Sequence, residues 1–458
     1  MRIHILGICG TFMGGLAAIA KAAGHEVSGS DENVYPPMSD QLSNLGINLQ
    51  EGYNSAFISK GVDCVVVGNG LSRGNVAVEA LLNSDIPYCS GPQWLFENVL
   101  QDKWVLAIAG THGKTTTSSM LAWILEYAKY FPGFLIGGVP HNFGISARLG
   151  KSEFFVIEAD EYDTAFFDKR AKFIHYRPKT LSITNIEYDH ADIYADLDAI
   201  LWQFQQLLRT VPSSGLINVN GHDKNIGKML RQSIWTPIET FGLENGTNWS
   251  ANYNTQGQES YFDVYREDIK IGGTAWNLFG KHNLANALAA LSAAAHAGVS
   301  IEIGLEALSL FEGVKRRLEK NGVYGGITLY DDFAHHPTAI TATICALRDQ
   351  HIDSRIVIVI EPRSNTMKMD IHRESLLKAL GRADRVFLLA SDDLEWNPES
   401  ALASLGSKVS VSWDMDSILN LLLEDLRSGD CVTMMSNGGF QGLRNQLQES
   451  LKTRFKSL

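Results

Sequence analysis

The 458-residue sequence predicts an α/β protein in three units: an N-terminal Rossmann-like unit, a central P-loop α/β unit, and a C-terminal Rossmann-like, doubly wound unit. Three observations carry this. Residues 2–31 read as strand, glycine loop, helix and strand, a βαβ unit. The apolar run 104–109 leads through Gly110-Thr111-His112-Gly113-Lys114-Thr115-Thr116 into an apolar helix. From Ile327 to Met435, short apolar strands alternate with helical stretches. The chain is too long for one core. Boundaries are expected around residue 102 and at 313–314, giving units 1–102, 103–313 and 314–458.

The totals narrow the function classes. A hydrophobic fraction of 45% and a charged fraction of 20% describe an ordinary globular protein. A net charge of −12 argues against sequence-independent nucleic-acid binding, which needs a basic face. The five cysteines are scattered without CxxC spacing, so neither a disulfide frame nor a zinc site is expected, and a reducing cytoplasm fits. The N-terminal apolar run enters glycines at once and does not read as a signal peptide. No run of ~18 apolar residues predicts a membrane span. A monomer or weak homodimer is expected.

In the first unit, the strand ending at Leu6 is followed by Gly7-Ile8-Cys9-Gly10-Thr11-Phe12-Met13-Gly14-Gly15 and a helix. The next strand ends in Asp31. A dinucleotide fingerprint would need glycine where Cys9 stands. NAD, another nucleotide diphosphate, and a loop with only a packing role all stay open. For either nucleotide, Asp31 would serve a ribose or sugar. A third strand, 63–67, leads to Ser72, Arg73 and Asn75 ahead of a helix from Val76. These residues are ligand contacts or a solvated helix cap.

In the central unit, glycines let backbone N–H groups turn onto a phosphate, and the helix N-terminus adds positive character. Lys114 would reach the β- and γ-phosphates and Thr115 a Mg²⁺ ion. The eight-residue P-loop pattern is not strictly met, since its first glycine falls on Ile108. Helix is expected from Ser118. The strand 153–157 delivers Glu158, Asp160, Glu161 and Asp163, and Glu158 stands where a Walker-B acid would. The strand 180–186 delivers Glu187, Asp189, His190 and Asp192. His190 would ligate a second cation or position a substrate. Residues 253–268 read as a strand meander. His282, Asn283 and Asn286 share the start of a helix, where the amides read an adenine edge or Asn283 caps the helix.

In the last unit, residues 311–319 read as a hinge. The strand from Ile327 ends in Asp331, Asp332, His335 and His336, a metal-like cluster. Strands 355–360, 385–390, 409–412 and 431–435 come next, with helices 371–380 and 417–426 between them. One loop carries Arg363, suited to bidentate carboxylate recognition, with Ser364 and Asn365. Another is Ser436-Asn437-Gly438-Gly439-Phe440. Each is a ligand contact or a plain turn.

Gly-Thr-His-Gly-Lys-Thr-Thr, Glu-Ala-Asp-Glu, Thr-Asn-Ile-Glu-x-Asp-His-x-Asp, Gly-x-His-Asn-x-x-Asn and Asp-Asp-x-Ala-His-His-Pro succeed one another in one chain. This order resembles the ATP-dependent Mur ligases over nearly the full length. The resemblance implies ATP and Mg²⁺, a UDP-N-acetylmuramate substrate, a short peptide acceptor (with L-alanine the sister reading), and a cytoplasmic ligase forming a C–N bond. It implies that Lys114 and the loop 110–116 hold the ATP phosphates, Thr115 and Glu158 a first Mg²⁺, and His190 a second. His282, Asn283 and Asn286 would approach the adenosine, and Arg316 and Asp331 the nucleotide. Gly7, Gly10, Thr11 and Met13 resemble the family's UDP-sugar loop, with Asp31, Ser72 and Asn75 beside it. His335, Arg363, Ser364, Asn365 and Asn437 would face the peptide, and His190 or His336 would take the amine proton. A carbamylated lysine, known in some members, is not expected, because residues 219–223 offer no lysine. The readings from other classes are a P-loop ATPase switch, a nicotinamide enzyme, and a folate-type ligase.

Overall fold

In the computed structural model the described residues are 1–34, 38–58, 61–232, 234–256 and 259–456. Three sheets of four or more strands carry the chain, in two compact units. The first unit comprises residues 1–188, 193–277 and 285–312; the second comprises 189–192, 278–284 and 313–458.

The first unit opens with a five-stranded parallel sheet in the order Asn48–Glu51, Glu26–Asp31, Arg2–Leu6, Cys64–Val67, Tyr88–Ser90. The central strand Arg2–Leu6 is buried on both faces after its first residue, as a parallel strand covered by helices must be. Helix Thr11–Ala22 begins inside the glycine-rich stretch, earlier than the apolar pattern alone marks.

The central sheet has ten strands. At its middle, Trp104–Ala109 lies between Thr180–Ile183 and Phe154–Ala159, all parallel. Ala109 is level with Ile183, and Ile108 with Glu158. That register delivers three strand ends to one edge, the edge where α/β sheets hold ligands. Trp249–Gln256, Glu259–Arg266 and Ile269–Ala275 extend the sheet as the expected antiparallel meander, of which residues 257–258 lie outside the described ones. A separate hairpin pairs Asp163–Ala165 with Asp168–Ala171.

One apolar cluster runs from Ile3, Ile5 and Leu16 through Trp94 and Leu100 to Phe155, Phe173 and Phe204. The five-stranded and ten-stranded sheets therefore share a core, and the expected break near residue 102 falls inside one compact unit.

The second unit holds a six-stranded sheet in the order Glu319–Tyr324, Ile327–Asp332, Asp430–Met435, Arg355–Ile360, Arg385–Leu389, Val409–Ser412. The first strand is an antiparallel edge, and the rest are parallel. Its two faces bury separate clusters, one around Ile340, Ile358 and Leu380, the other around Phe387, Phe440 and Leu447. That is the doubly wound arrangement. Helix 371–380 resolves into a short 3₁₀ turn and Arg373–Leu380, and helix 417–426 is Met415–Asp425. No helix among the described residues is long and apolar enough to cross a membrane.

Candidate active site

The loop after Trp104–Ala109 is shorter than the eight-residue pattern requires, because Ile108 is still strand. Gly110 has φ +133° and Gly113 φ +83°, both closed to most side chains. A Cβ on Gly110 would meet Thr184 Oγ1 at 2.2 Å, and one on Gly113 would meet Asn286 Oδ1 at 2.4 Å. The glycines thus let the loop lie against the strand Thr180–Ile183 and the helix Lys281–His296. Asn185 clasps the turn: its Oδ1 accepts from His112 N at 2.8 Å and its Nδ2 donates to His112 O at 3.0 Å. Thr184 Oγ1 donates to the same carbonyl at 2.6 Å. Thr111 N donates to Asn185 O at 3.0 Å, and Glu187 N donates to Thr111 Oγ1 at 2.9 Å. His112 Nε2 lies 3.3 Å from Glu187 Oε2. Helix begins at Lys114, so Thr115 and Thr116 are already in its first turn, not before it as expected.

Lys114 is buried, and its ammonium donates to Gly110 O at 2.7 Å and Glu161 Oε2 at 2.6 Å, with Asp160 at 3.4 Å. Burial works against its charge, but Glu161 and Asp160 outweigh burial and hold its pKa above the ordinary lysine value. Thr115 Oγ1 donates to Glu158 Oε1 at 2.9 Å, and Gly137 N donates to Glu158 Oε2 at 2.6 Å. A hydroxyl and a carboxylate at this separation are hard oxygen donors of the kind Mg²⁺ takes. Lys114, Thr115, Glu158 and Asn286 are therefore brought to one place. Sequence reading missed Glu161 as the partner of Lys114. The acid run was visible, but which acid turns inward depends on how the hairpin after it folds.

The front loop is built by its own backbone. Gly7 has φ +78° and its N–H donates to Ser30 O at 2.8 Å; Gly10 precedes helix Thr11–Ala22 as its N-cap. Both Asp31 oxygens accept loop N–H groups, Oδ2 from Cys9 at 2.9 Å and Oδ1 from Asn33 at 3.0 Å. Asp31 thus braces the loop, a duty the sequence did not announce. Met13 is 5% exposed and packs beneath the loop in the core. For Asn75 the structure shows the cap: its Oδ1 accepts from Ala77 N and Val78 N at 3.0 and 3.3 Å. Ser72 is exposed, and Arg73 pairs with Glu79 at 2.9 Å.

The second unit gathers its own set. Arg316 has φ +60° and donates to Ser436 O at 2.7 Å and Gly438 O at 2.6 Å. Asp331 lies between Arg316 Nε at 3.5 Å and Arg444 Nη2 at 2.8 Å. Burial pushes the Asp331 carboxyl up to about 6, with both guanidiniums pulling the other way. Arg444 was not expected from sequence, since it lies in a charged C-terminal helix that reads as a solvated face. Ser436 Oγ donates to Glu361 Oε2 at 2.6 Å, and Arg363 lies 3.6 Å from Glu361. Asn437 Oδ1 is buried with no donor among the described residues. Ser364 caps Asn365–Lys368, and Asn365 Nδ2 donates to Asp192 Oδ2 at 2.8 Å.

His336 caps Pro337–Gln350, accepting from Thr338 N at 3.3 Å, with His372 edge-on at 4.6 Å between centroids. His335 Nδ1 lies 2.8 Å from Phe333 O. His190 has φ +56°, and its N–H donates to Asp189 Oδ1 at 2.7 Å. Burial would raise the Asp189 pKa, but His190, His336 and His335 hold it well below the carboxylate range. Asn283 is the third residue of helix Lys281–His296; its Nδ2 donates to Phe279 O at 2.9 Å, and His282 beside it is half-buried.

The sequence and the fold match those of known proteins. Three family profiles match in order: "Mur ligase family, catalytic domain" at residues 2–102, "Mur ligase middle domain" at 108–294, and "Mur ligase, glutamate ligase domain" at 316–438. The chain is 50% identical over 452 residues to the UDP-N-acetylmuramate–L-alanyl-gamma-D-glutamyl-meso-2,6-diaminoheptandioate ligase of Escherichia coli K12, covering 98% of each chain. It is 32% identical over 461 residues to the UDP-N-acetylmuramate–L-alanine ligase of Desulforapulum autotrophicum, again covering 98% of each. The crystal structure of a murein peptide ligase from Psychrobacter arcticus superposes with a TM-score of 0.76 at 43% identity, covering 99% of both chains.

Proposed function

This chain belongs to the Mur ligase family, and we propose that it joins the lactyl carboxylate of UDP-N-acetylmuramate to the amine of L-alanyl-γ-D-glutamyl-meso-diaminopimelate, using ATP and passing through an acyl phosphate. The observation that carries the acceptor is the 50% full-length identity to a ligase named for that peptide, against 32% to one named for L-alanine.

The chain's own groups supply the chemistry. Lys114 and the amides of residues 110–116 hold the ATP phosphates, with the positive helix end behind them. Triphosphate and carboxylate repel one another, so their approach requires local positive charge. The Thr115 hydroxyl and the Glu158 carboxylate, 2.9 Å apart, are assigned to Mg²⁺, and His190 to a second ion. Bound there, Mg²⁺ neutralises phosphate charge. The lactyl carboxylate attacks the γ-phosphate, releasing ADP. The amine then attacks the acyl carbon and phosphate leaves. The amine must be neutral to attack, and His190 or His336 takes its proton. His282, Asn283, Asn286, Arg316 and Asp331 are assigned to the nucleotide. The loop 7–13 is assigned to the UDP-sugar, and His335, Arg363, Ser364, Asn365 and Asn437 to the peptide. We assign the reaction to the cytoplasm, the protein to a monomer or weak homodimer, and the functional boundaries to residues 102 and 313.

The test is ADP release with UDP-N-acetylmuramate, offering the tripeptide and L-alanine in turn. Release with the tripeptide and almost none with L-alanine is expected. Turnover with L-alanine alone would move the chain to the sister activity, and no new peptide bond with either would end the ligase reading.

A further inference from the structure

A second lysine lies beside the phosphate loop, and the ligation chemistry above does not use it. Lys172 comes after the hairpin Asp163–Ala165/Asp168–Ala171 at the start of a 3₁₀ turn, and its N–H donates to Tyr162 O at 2.9 Å. Its side chain is 8% exposed. The ammonium stands 5.4 Å from the ring centroids of both Phe12 and Tyr162. Among the described residues it donates no hydrogen bond; the nearest carboxylate oxygen belongs to Asp160, at 3.9 Å. That is beyond the 2.7–2.9 Å of a charge-assisted bond. An ammonium carries three donors, and here no carboxylate takes one at hydrogen-bond distance. Its pKa is lowered accordingly, by burial.

Two neighbours locate the ammonium. Asp160 lies between Lys172 at 3.9 Å and Lys114 at 3.4 Å, so Lys172 borders the triphosphate cradle without belonging to it. Phe12, against its other side, sits in the first turn of Thr11–Ala22, the helix that opens from the glycine loop of the front sheet. Lys172 thus stands between the first helix of the front sheet and the acid that also faces Lys114.

We infer that the Lys172 ammonium binds the carboxylate of the sugar-acid substrate and holds it against the phosphate cradle. This rests on the ligase reading above. On that assignment Lys172 is a substrate-binding residue, and Asp160 keeps both ammonium groups near a negative charge until the two substrate anions arrive.

The test is calorimetric titration of the full chain, without nucleotide or metal, with UDP-N-acetylmuramate and with UDP-N-acetylglucosamine, which carries the same uridine diphosphate but no lactyl acid. Lys172→Met is expected to weaken the first at least about tenfold, the loss of a charge-assisted bond. The second should stay within about twofold, and Lys172→Arg should retain most of the preference for the acid. Equal loss of both sugars would place Lys172 on the diphosphate or in a structural role, and no loss of either would leave it outside the site; each overturns the inference. The thermal midpoint of Lys172→Met should match or exceed that of the native protein, because an apolar stem replaces a buried charge. Should that variant not fold, Lys172→Gln is read in the same two titrations. Wild-type turnover with the tripeptide separates the readings: its absence defeats the ligase, whereas normal turnover with unchanged Lys172→Met binding defeats only the role of Lys172.

Discussion

A buried lysine needs a matched charge at every stage of a reaction, and Lys114 shows how that is met. In the free protein Glu161, itself 1% exposed, takes the ammonium at 2.6 Å. On the function proposed above, a polyphosphate on the loop amides takes the place of that partner, so the charge is not left bare. Lys114→Ala is therefore expected to lower ADP release at least about a hundredfold, the scale seen when a charge-stabilising donor is removed. Binding of the UDP-sugar to loop 7–13 should stay within about twofold by calorimetry. Loss of both would show that cradle and front loop do not act separately. At this scale the sequence was legible where chemistry and chain position coincide. Lys114, Thr115 and Glu158 stand at or just beyond strand ends, and a local motif marks them. Glu161, Arg444 and the bracing role of Asp31 were not legible, because each is defined by the segments that fold against it.

Single elements impose their own constraint, and His4 is a case. It sits in the strand Arg2–Leu6 level with Ser28 of Glu26–Asp31, and its ring nitrogens lie 2.9 Å from Ser28 Oγ and 3.1 Å from Ser30 Oγ. Both partners are hydroxyls, which can donate or accept, so the neutral ring is satisfied with one nitrogen donating and the other accepting. Burial lowers its pKa to about 4. The folded value lies below the unfolded one of 6.5, so the unfolded chain takes up the proton first as pH falls. The contribution is complete above pH 6.5 and is lost on the way down to pH 4, at about 3 kcal/mol in total. His4→Gln should flatten that slope: in urea unfolding at pH 7 and pH 4.5, the wild-type advantage over the variant should shrink by about 2–3 kcal/mol. The same slope in both proteins would place the acid sensitivity elsewhere. Element identity was legible wherever an apolar run met a glycine loop. The edge strands Asn48–Glu51 and Tyr88–Ser90 escaped because short edge strands carry no apolar run. The hairpin at 163–171 escaped because its strands lie in an acid-rich stretch that resembles a loop.

On the scale of the molecule, chain order and compact units do not coincide, and this makes the last prediction. Helix Lys281–His296 is continuous, yet residues 278–284 group with the second unit and 285–312 with the first. Its later turns are anchored in the first unit, where Ser182 and Asn218 donate to Ala289 O at 3.5 and 3.4 Å. Its entry is anchored in the second. The Phe279 ring meets Tyr330 edge-on at 6.1 Å, and Gly280, at φ +93°, leaves room where a Cβ would meet Ala346 at 2.7 Å. Sequence reading put the break at 313 because strands and helices change pattern there; it could not see that residues 278–284, well upstream, pack with the C-terminal sheet. A fragment of residues 1–312 keeps the later anchors and loses the entry ones. Helix ends held by few tertiary contacts open at low cost, whereas packed turns open only with the unit. Hydrogen exchange by mass spectrometry should therefore show amides 283–286 exchanging at least about tenfold faster in the fragment than in the full chain, with 288–294 equally protected in both. Equal protection at 283–286 would mean the helix entry is held by the first unit after all, and the division of this helix between two units would be wrong.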